Sequence, residues 1–386
     1  MELYIHIPFC VRKCFYCDFL SFEADKELKS SYIDTLIKEL GSFSGLLKTV
    51  PEFDTVFIGG GTPSILDVET SERLLAAVMP MIGDDTEYTV ECNPGTLDRE
   101  KLELYRKYGV NRLSIGLQSA DDDELARLGR IHRYEDFLKS YEAARKAGFK
   151  NINIDLMSGI PGQSVTGLER NLKTVGELEP EHISAYSLII EPGTRYYKIY
   201  EENAEDNGDK IIPLPKEEEE REMYRLTERI LNGYGYLRYE ISNYSKPGFK
   251  CRHNLGYWTG EEYLGVGIGA ASYFHNERYK NTDDIRKYIK FVNEGGAEAL
   301  LDLRIECEHI GFDERVEEYI ILRLRLTEGI SKEDFMSRFG FDISDKYQGI
   351  INKHVENGLL ADTGDRIFLT ERGLDLSNFV MSDFLR

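Results

Sequence analysis

Three cysteines near the start of the chain have the type and spacing of a metal-cluster site. Cys10, Cys14 and Cys17 form the pattern Cys-x3-Cys-x2-Cys, directly after the apolar residues 3–9. Thiolate is the protein ligand of iron–sulfur clusters, and three thiolates on one short loop can each bind one iron of a [4Fe–4S] cube. The fourth iron then lacks a protein ligand. The spacing therefore predicts a cluster that is open to a small molecule at one iron.

A structural zinc site is the main alternative for these cysteines. Structural zinc takes four ligands, so it requires a further Cys or His pair at a suitable distance. The other cysteines, Cys92, Cys251 and Cys307, stand singly along the chain. The cysteine pattern therefore favours an iron–sulfur cluster over zinc.

The bulk composition argues against several classes of protein. The chain has 386 residues, 41% of them hydrophobic, and a formal net charge of −21. Binding to nucleic acid or to an anionic membrane relies on cationic side chains, so at most peripheral membrane contact and no nucleic-acid partner are expected. No apolar run approaches the roughly 20 residues of a membrane span, and no signal peptide is recognised. We expect a cytoplasmic protein, because a reducing compartment suits an oxygen-sensitive cluster.

Six strand–helix units are predicted between residue 3 and about residue 190. Their alternation indicates a parallel sheet with right-handed crossovers. Because six units fall short of the eight of a closed TIM barrel, the predicted fold is α/β, a partial (βα)6 TIM-like barrel. The predicted strands are Leu3–Pro8, Thr55–Gly59, Tyr88–Cys92, Arg112–Leu117, Asn151–Leu156 and Ile183–Leu188.

Unusual residues follow the predicted strands at their carboxyl ends, where such barrels carry their chemistry. The first strand leads into the cysteines, and the second ends in three glycines, residues 59–61. Glycines at a strand end let the backbone approach a ligand closely and offer amide donors. Later units add four polar side chains: Glu91, Gln118, Arg130 and Asp155. Each of these residues alone could be a helix cap or a turn former. Because all four follow successive strands, they are predicted to form one binding site.

The chain is predicted to divide into three parts. Residues 1–200 form the barrel, residues 201–310 a helical linker and an aromatic, glycine-rich segment, and residues 311–386 a winged-helix-like domain. Residues 234–274 are expected to form irregular strands against the open side of the barrel. The last part is acidic, which favours a packing or lid role over DNA binding.

Four segments together resemble one protein family, and the resemblance covers nearly the whole chain. The family is the radical S-adenosylmethionine (radical SAM) group of the oxygen-independent coproporphyrinogen III oxidases and the related HemW-type haem chaperones. The segments are Leu-Tyr-Ile-His-Ile-Pro-Phe-Cys at 3–10, Phe-Ile-Gly-Gly-Gly-Thr-Pro-Ser at 57–64, Arg-Leu-Ser-Ile-Gly-Leu-Gln-Ser at 112–119 and His-Asn-Leu-Gly-Tyr-Trp at 253–258.

The resemblance implies that S-adenosylmethionine (SAM) binds the open iron through its amino and carboxylate groups. Arg130 would pair with the SAM carboxylate, which is a charge-assisted contact. The acidic residues and Gln118 would accept hydrogen bonds from hydroxyl or ammonium groups. The positions that match SAM-binding positions of the oxidase are Tyr4, Tyr16, Gly60, Gly61, Thr62, Glu91, Gln118, Arg130 and Asp155.

Within this family, two main functions and one more general alternative stay open. The first is a haem chaperone that binds haem and delivers it to respiratory haem proteins, with a homodimer as one arrangement. The second is the oxidase, which converts coproporphyrinogen III to protoporphyrinogen IX by oxidative decarboxylation, and a radical SAM enzyme with another substrate is a third reading. The oxidase typically has a further cysteine where this chain has Phe19, and a longer segment before its first strand. Both differences favour the chaperone.

The segment from His253 to Trp258 matches the His-Asn-x-x-Tyr-Trp motif that is associated with haem binding in the chaperones. Imidazole is a common axial haem ligand, and Trp258, the single tryptophan of the chain, can stack on a porphyrin. The resemblance thus implies that His253, Tyr257 and Trp258 bind haem. The alternative for His253 is a core histidine that orders a turn. Three cations were expected near the propionates: Lys246, Lys250 and Arg252.

Overall fold

Six parallel strands in sequence order form the centre of the sheet, and helices follow each of them. The computed structural model describes residues 1–46, 51–202, 211–295 and 299–385. The predicted partial (βα)6 barrel is confirmed. The strands are β1 (Glu2–Ile7), β2 (Phe53–Gly60), β3 (Ile82–Cys92), β4 (Arg112–Gln118), β5 (Ile152–Ser158) and β6 (His182–Ser187).

The helices of the barrel begin where the sequence supplies capping residues. Asp67, Asp98 and Ser164 each accept a hydrogen bond from a backbone N–H of the first helical turn, which satisfies a donor that has no partner within the helix. The helices are α1 (Lys26–Leu46), α2 (Val68–Val78), α3 (Arg99–Lys107), α4 (Asp122–Arg127), α5 (Tyr134–Lys146), α6 (Val165–Glu177) and α7 (Arg195–Tyr200).

The two faces of the strands differ in polarity. In β4, Leu113, Ile115 and Leu117 are fully buried in the main hydrophobic core. The alternating residues Arg112 and Ser114 lie on the opposite face, because successive side chains of a strand point to opposite sides. That face lines the barrel interior, which is therefore polar and suited to holding polar ligands.

Later strands extend the sheet at both edges, so that it contains twelve strands. At one edge β9 pairs in parallel with β1 and is followed by β10, β11 and β12. At the other edge β8 pairs antiparallel with β6 and is followed by β7. The elements of this part are α8 (Glu217–Gly233), β7 (Leu237–Arg238), β8 (Asn243–Ser245), α9 (Arg252–Thr259), β9 (Tyr263–Val266), β10 (Ala271–Phe274), β11 (Glu277–Asn281), α10 (Ile285–Gly295), α11 (Ala299–Asp302) and β12 (Arg304–His309).

Helix α9 corrects the expectation of irregular strands throughout residues 234–274. The carboxylate of Glu87 accepts hydrogen bonds from the backbone N–H groups of Arg252 and His253, at 3.0 and 3.1 Å. A negative group at a helix amino terminus satisfies free N–H groups and the helix dipole. Gly256 lets the helix lie against β1, because a Cβ there would overlap the carboxyl group of Glu2. Helix α9 thus closes the amino-terminal end of the barrel.

The carboxyl-terminal residues form a winged-helix-like unit with its own hydrophobic core, as predicted. Residues 203–210 of the predicted linker lie outside the described residues. Within the described ranges, no helix combines the length and the apolar composition that a membrane span requires. The elements are α12 (Phe312–Leu324), β13 (Ile330–Ser331), α13 (Lys332–Phe339), α14 (Ile343–Glu356), β14 (Leu360–Asp362), β15 (Arg366–Leu369), α15 (Glu371–Asp375) and α16 (Ser377–Ser382).

The close approach of β9 and β10 yields a test of this sheet edge. A Cβ on Gly265 would overlap the backbone carbonyl of Ala271, so Gly265→Ala should lower the free energy of unfolding by about 1–3 kcal/mol in urea denaturation. Gly349→Ala in α14 is the matched control, because no atom lies within 4 Å of its added Cβ. The control should be neutral or stabilising by up to about 1 kcal/mol. Equal stabilities of the two variants would contradict this packing.

Candidate functional site

The three predicted cluster ligands lie on one loop that leaves the carboxyl end of β1. Cys10, Cys14 and Cys17 are all free thiols at partly exposed positions. The N–H of Cys10 donates to the carbonyl of Phe22 at 3.0 Å, and the N–H of Cys17 donates to the carbonyl of Cys14 at 3.3 Å. The N–H of Phe15 donates to the carbonyl of Leu128 at the end of α4, at 3.1 Å. Backbone hydrogen bonds thus hold the loop at the open end of the barrel.

A pocket at the carboxyl ends of β1 to β5 brings most of the predicted site together. All three cysteines line it, and the structure adds eight of the nine predicted SAM residues. Tyr4 does not line the pocket; its hydroxyl lies deeper in the barrel, 3.0 Å from Nδ1 of His6. The eight residues are Tyr16, Gly60, Gly61, Thr62, Glu91, Gln118, Arg130 and Asp155.

The donor set of this pocket fits a cubane cluster rather than a single ion. Among the described residues, no three His, Cys, Asp or Glu side chains are grouped to hold one metal ion. A [4Fe–4S] cube takes each thiolate on a different iron, so its ligands need not converge on one point. Cys92 also borders the pocket, but its thiol donates to the carbonyl of Val90 and burial raises its pKa. Cys92 is therefore held as a neutral thiol.

A hydrogen-bonded series connects the strand ends to the cysteines. Arg130 lies 3.6 Å from the Sγ of Cys14 and donates to Oδ1 of Asn93 at 2.7 Å. Asn93 donates to the hydroxyl of Thr62 at 2.6 Å, and that hydroxyl is 3.6 Å from the Sγ of Cys10. The Nε of Arg130 is shielded from solvent and has no hydrogen-bond partner within the described part of the chain. The guanidinium thus lies against the sulfur of Cys14 and retains a donor for a ligand carboxylate.

Two carboxyl groups face the same pocket from β3 and β5. Burial raises the pKa of Glu91 to about 8, with a further contribution from the negative charge of Asp155. Burial also raises the pKa of Asp155, which accepts a hydrogen bond from Asn153 at 2.7 Å. A ligand ammonium group would favour the charged carboxylates, and ligand hydroxyls would donate to them. These groups therefore fit the amino and ribose parts of SAM.

Gly61 lacks a side chain for a packing reason, in addition to allowing a ligand to approach the backbone. A Cβ there would lie 2.7 Å from the carbonyl oxygen of Phe9. The N–H groups of Gly61 and Thr62 donate to the carbonyls of Ile7 and Phe9, both at 2.8 Å. The glycine therefore lets the end of β2 pack against the start of the cysteine loop, besides lining the pocket.

His6 and Asn93 are site residues that the sequence interpretation did not select. Nε2 of His6 lies 2.8 Å from the carbonyl oxygen of Leu20 and so ties the far end of the cysteine loop to β1. A Cβ on Gly60 would overlap the His6 ring. His6 lies two residues after Tyr4, on the same interior face of β1. Asn93 lies two residues after Glu91, just past the end of β3. These positions in the sequence are the features by which both residues could have been recognised as site residues.

His253 lies inside the closed end of the barrel. Its side chain is only 2% exposed, its Nδ1 is 2.7 Å from the hydroxyl of Thr55, and its ring stacks on Phe57 at 5.0 Å. Burial lowers the pKa of His253 to about 3, and its Nε2 has no hydrogen-bond partner among the described residues. In this conformation the imidazole is a core group. Its proposed role as a haem ligand would require α9 to move.

Tyr257 and Trp258 line a second cavity of about 740 Å³ on the other side of α9. The cations that were expected around the haem propionates do not line it. Lys246 donates to the carbonyl of Glu179, and Arg252 donates to the carbonyl of Asp85. Lys250 lies over the ring of Tyr239. The structure therefore does not bring these three cations to Trp258.

Known protein families match both the barrel and the carboxyl-terminal domain of the chain. The model of the Radical SAM superfamily matches residues 4–175, and that of the HemN C-terminal domain matches residues 313–376. The protein named Heme chaperone HemW from Bacillus subtilis (strain 168) is 36% identical over 386 residues, which cover 99% of this chain and 98% of that protein. Heme chaperone HemW from Escherichia coli (strain K12) is 34% identical, with coverages of 100% and 98%.

A solved structure supports the fold independently. The radical SAM coproporphyrinogen III oxidase (HemN) from Escherichia coli superimposes with a TM-score of 0.84. The match covers 99% of this chain and 89% of that chain at 22% sequence identity. At this identity the likeness establishes the shared fold, including the predicted radical SAM barrel, and nothing about the reaction.

The cysteine loop predicts where iron is bound. Replacement of Cys10, Cys14 and Cys17 by alanine should remove the cluster absorption and most of the iron from anaerobically purified protein, because thiolates are the protein ligands that such clusters use. Iron analysis and visible absorption measure this. Alanine variants of Cys92, Cys251 and Cys307 are matched controls and should keep about one cluster per chain. Full iron content in the triple variant would refute the assignment.

The raised pKa of Glu91 predicts that the folded, ligand-free protein becomes less stable as the pH rises. The pKa is about 8 in the folded state and 4.5 as an ordinary value, so stability from this group is complete below pH 4.5 and is lost as the pH rises through 8. Glu91→Gln should therefore raise the Tm relative to wild type more at pH 8.5 than at pH 5, by on the order of 2 °C.

Thermal unfolding of cluster-free protein at the two pH values measures this difference. Glu103→Gln, on the exposed face of α3, is the control and should show no such trend. Calorimetry should also show weaker SAM binding by the Glu91 variant of the cluster-loaded protein. A Tm difference that is independent of pH would contradict the assigned burial.

Proposed function

The chain belongs to the HemW family of radical SAM proteins, and we propose that it binds haem and delivers it to haem-accepting proteins. The observation that carries this proposal is the full-length similarity to relatives named haem chaperones, which includes both the barrel and the carboxyl-terminal domain. Respiratory haem proteins are the proposed acceptors. A homodimer and a cytoplasmic location belong to the same proposal.

The pocket residues have separate roles in this proposal. Cys10, Cys14 and Cys17 would hold a [4Fe–4S] cluster, and a bound cluster with SAM would supply redox or radical chemistry. Arg130, whose guanidinium lies 3.6 Å from the Sγ of Cys14, would orient the SAM carboxylate. Glu91 would receive the ammonium or hydroxyl groups of SAM.

Phe19 favours the carrier over the oxidase. Its side chain lines the cysteine pocket and is 63% exposed. The oxidases typically have a cysteine at this position, by the resemblance described above. A phenyl ring can neither transfer a proton nor bind iron, so any step that relies on that cysteine has no equivalent group in this chain.

A paired assay of anaerobically reconstituted protein tests the proposal. Titration with haem should show binding of about one haem per chain in the Soret region, whereas incubation with coproporphyrinogen III and SAM should give no protoporphyrinogen IX. The triple alanine variant of the cluster cysteines is the control and should retain haem binding, because Trp258 lies at the other end of the barrel. Robust formation of protoporphyrinogen IX would favour the oxidase, and absence of haem binding would refute the carrier.

A further inference from the structure

The second cavity lies between the closed end of the barrel and the winged-helix-like domain. Its volume of about 740 Å³ falls within the roughly 300–1,000 Å³ of small-molecule sites. Residues of α9 to β11 form one wall, and residues of α12 and α13 form the other. Six of its aromatic side chains are Trp258, Tyr263, Tyr273, Phe312, Tyr319 and Phe339.

We propose that this cavity, defined by Trp258, Arg315 and Arg338, is the haem site of the carrier. The inference rests on the proposed function and assigns its ligand to a place in the fold. The tetrapyrrole ring packs against the aromatic lining, and the two propionates pair with Arg315 and Arg338. Recognition thus depends on the ring and its carboxylates, and does not depend on a bond between iron and His253.

The aromatic lining suits a large flat ligand. Trp258 is half-buried, and the guanidinium of Arg325 lies 4.3 Å from its ring centroid. The indole Nε1 is shielded from solvent and has no hydrogen-bond partner among the described residues. Aromatic rings favour offset or edge-on packing against other π systems. The lining therefore offers packing for a porphyrin and a donor that the protein itself leaves unused.

Two cations of the cavity have no carboxylate partner. Within 4 Å of Arg315 or Arg338, no Asp or Glu oxygen is found in the part of the chain that the structure describes. Arg338 donates to the carbonyls of Thr259 and Gly260 at 3.0 and 2.8 Å. The Nε of Arg315 has no hydrogen-bond partner in the residues that the structure describes. In a chain of net charge −21, two such arginines in one cavity point to an anionic ligand with two carboxylates.

The other charged groups of the cavity are already engaged. Arg278 makes two hydrogen bonds of 2.7 Å to the carboxylate of Glu318. The carboxylate of Glu262 accepts a hydrogen bond from the backbone N–H of His275 at 2.7 Å. Glu261 is exposed at the rim. Arg315 and Arg338, on α12 and α13, are thus the cavity cations without a carboxylate partner among the described residues, although Arg338 also donates to two backbone carbonyls.

The cavity also explains why His253 is not required. His253 does not line it, and the ring of Tyr257 lies edge-on to the imidazole at 5.1 Å. Tyr257 therefore contacts both the cavity and the buried histidine. A site built from ring packing and propionate pairing should accept metal-free protoporphyrin IX as well as haem.

Titration of the full-length, cluster-loaded protein with haem and with metal-free protoporphyrin IX tests the inference. Wild type should bind both ligands with affinities within about tenfold of each other. Arg315→Ala and Arg338→Ala should each weaken both affinities by roughly ten- to a hundredfold, as expected for the loss of a charged hydrogen bond. Leu322→Trp, which fills the cavity from α12, should abolish binding of both.

Three controls separate loss of the site from loss of the fold. Arg99→Ala removes an exposed arginine of α3 and should bind like wild type. Circular dichroism and the iron content of the cluster should be unchanged in every variant. If Arg338→Ala fails to fold because its carbonyl contacts are lost, Arg315→Ala and Leu322→Trp still decide the question.

Each outcome bears on one proposal only. If wild type binds haem and all three cavity variants bind it equally well, the cavity is refuted while the carrier function stands. If His253→Ala abolishes haem binding and wild type does not bind protoporphyrin IX, iron ligation by the buried face of α9 replaces the cavity. If wild type binds neither ligand, the carrier function itself is refuted.

Discussion

The structure depends on pairing the polar groups that the barrel encloses. Arg112 is buried on the interior face of β4. Burial by itself lowers the pKa of its guanidinium, whereas the nearby Cys251 and the negative charge of Glu87 raise it. Glu87 in turn receives two backbone N–H groups of α9. An unpaired charge in this position would cost several kcal/mol. The cation on β4 and the helix that closes the barrel are therefore supported by the same carboxylate.

This arrangement gives the barrel two unlike ends. At the amino-terminal end, α9 and its aromatic side chains cover the interior, and His253 is buried there. At the carboxyl-terminal end, the carboxyl groups of Glu91 and Asp155 are buried beside the pocket, and burial raises both pKa values. The amino-terminal end of the interior is thus covered by the protein itself. The carboxyl-terminal end would be stabilised by a ligand that supplies positive charge and hydroxyl groups.

The parts of the structure that the sequence predicted are those with local or periodic signals. Strand ends could be located from alternation and from glycines, so Glu91 and Arg130 were expected at one site. Helix α9 could not be predicted, because its glycine and aromatic residues have weak helix propensity and its amino terminus is satisfied by Glu87, which lies 165 residues away in sequence. The cavity beside it depends on how α12 packs against α9, and no local pattern encodes that contact.

The helical geometry of α9 separates the residues of a motif that looked like one binding site. His253 and Tyr257 are four residues apart and share one face of the helix, where their rings meet at 5.1 Å and continue to Phe57. Phe57 stacks on Tyr4, whose hydroxyl contacts His6 behind the cysteine loop. Trp258 leaves the helix toward the cavity instead. The motif therefore serves two surfaces: its histidine completes the barrel interior, its tryptophan belongs to the cavity, and its tyrosine contacts both.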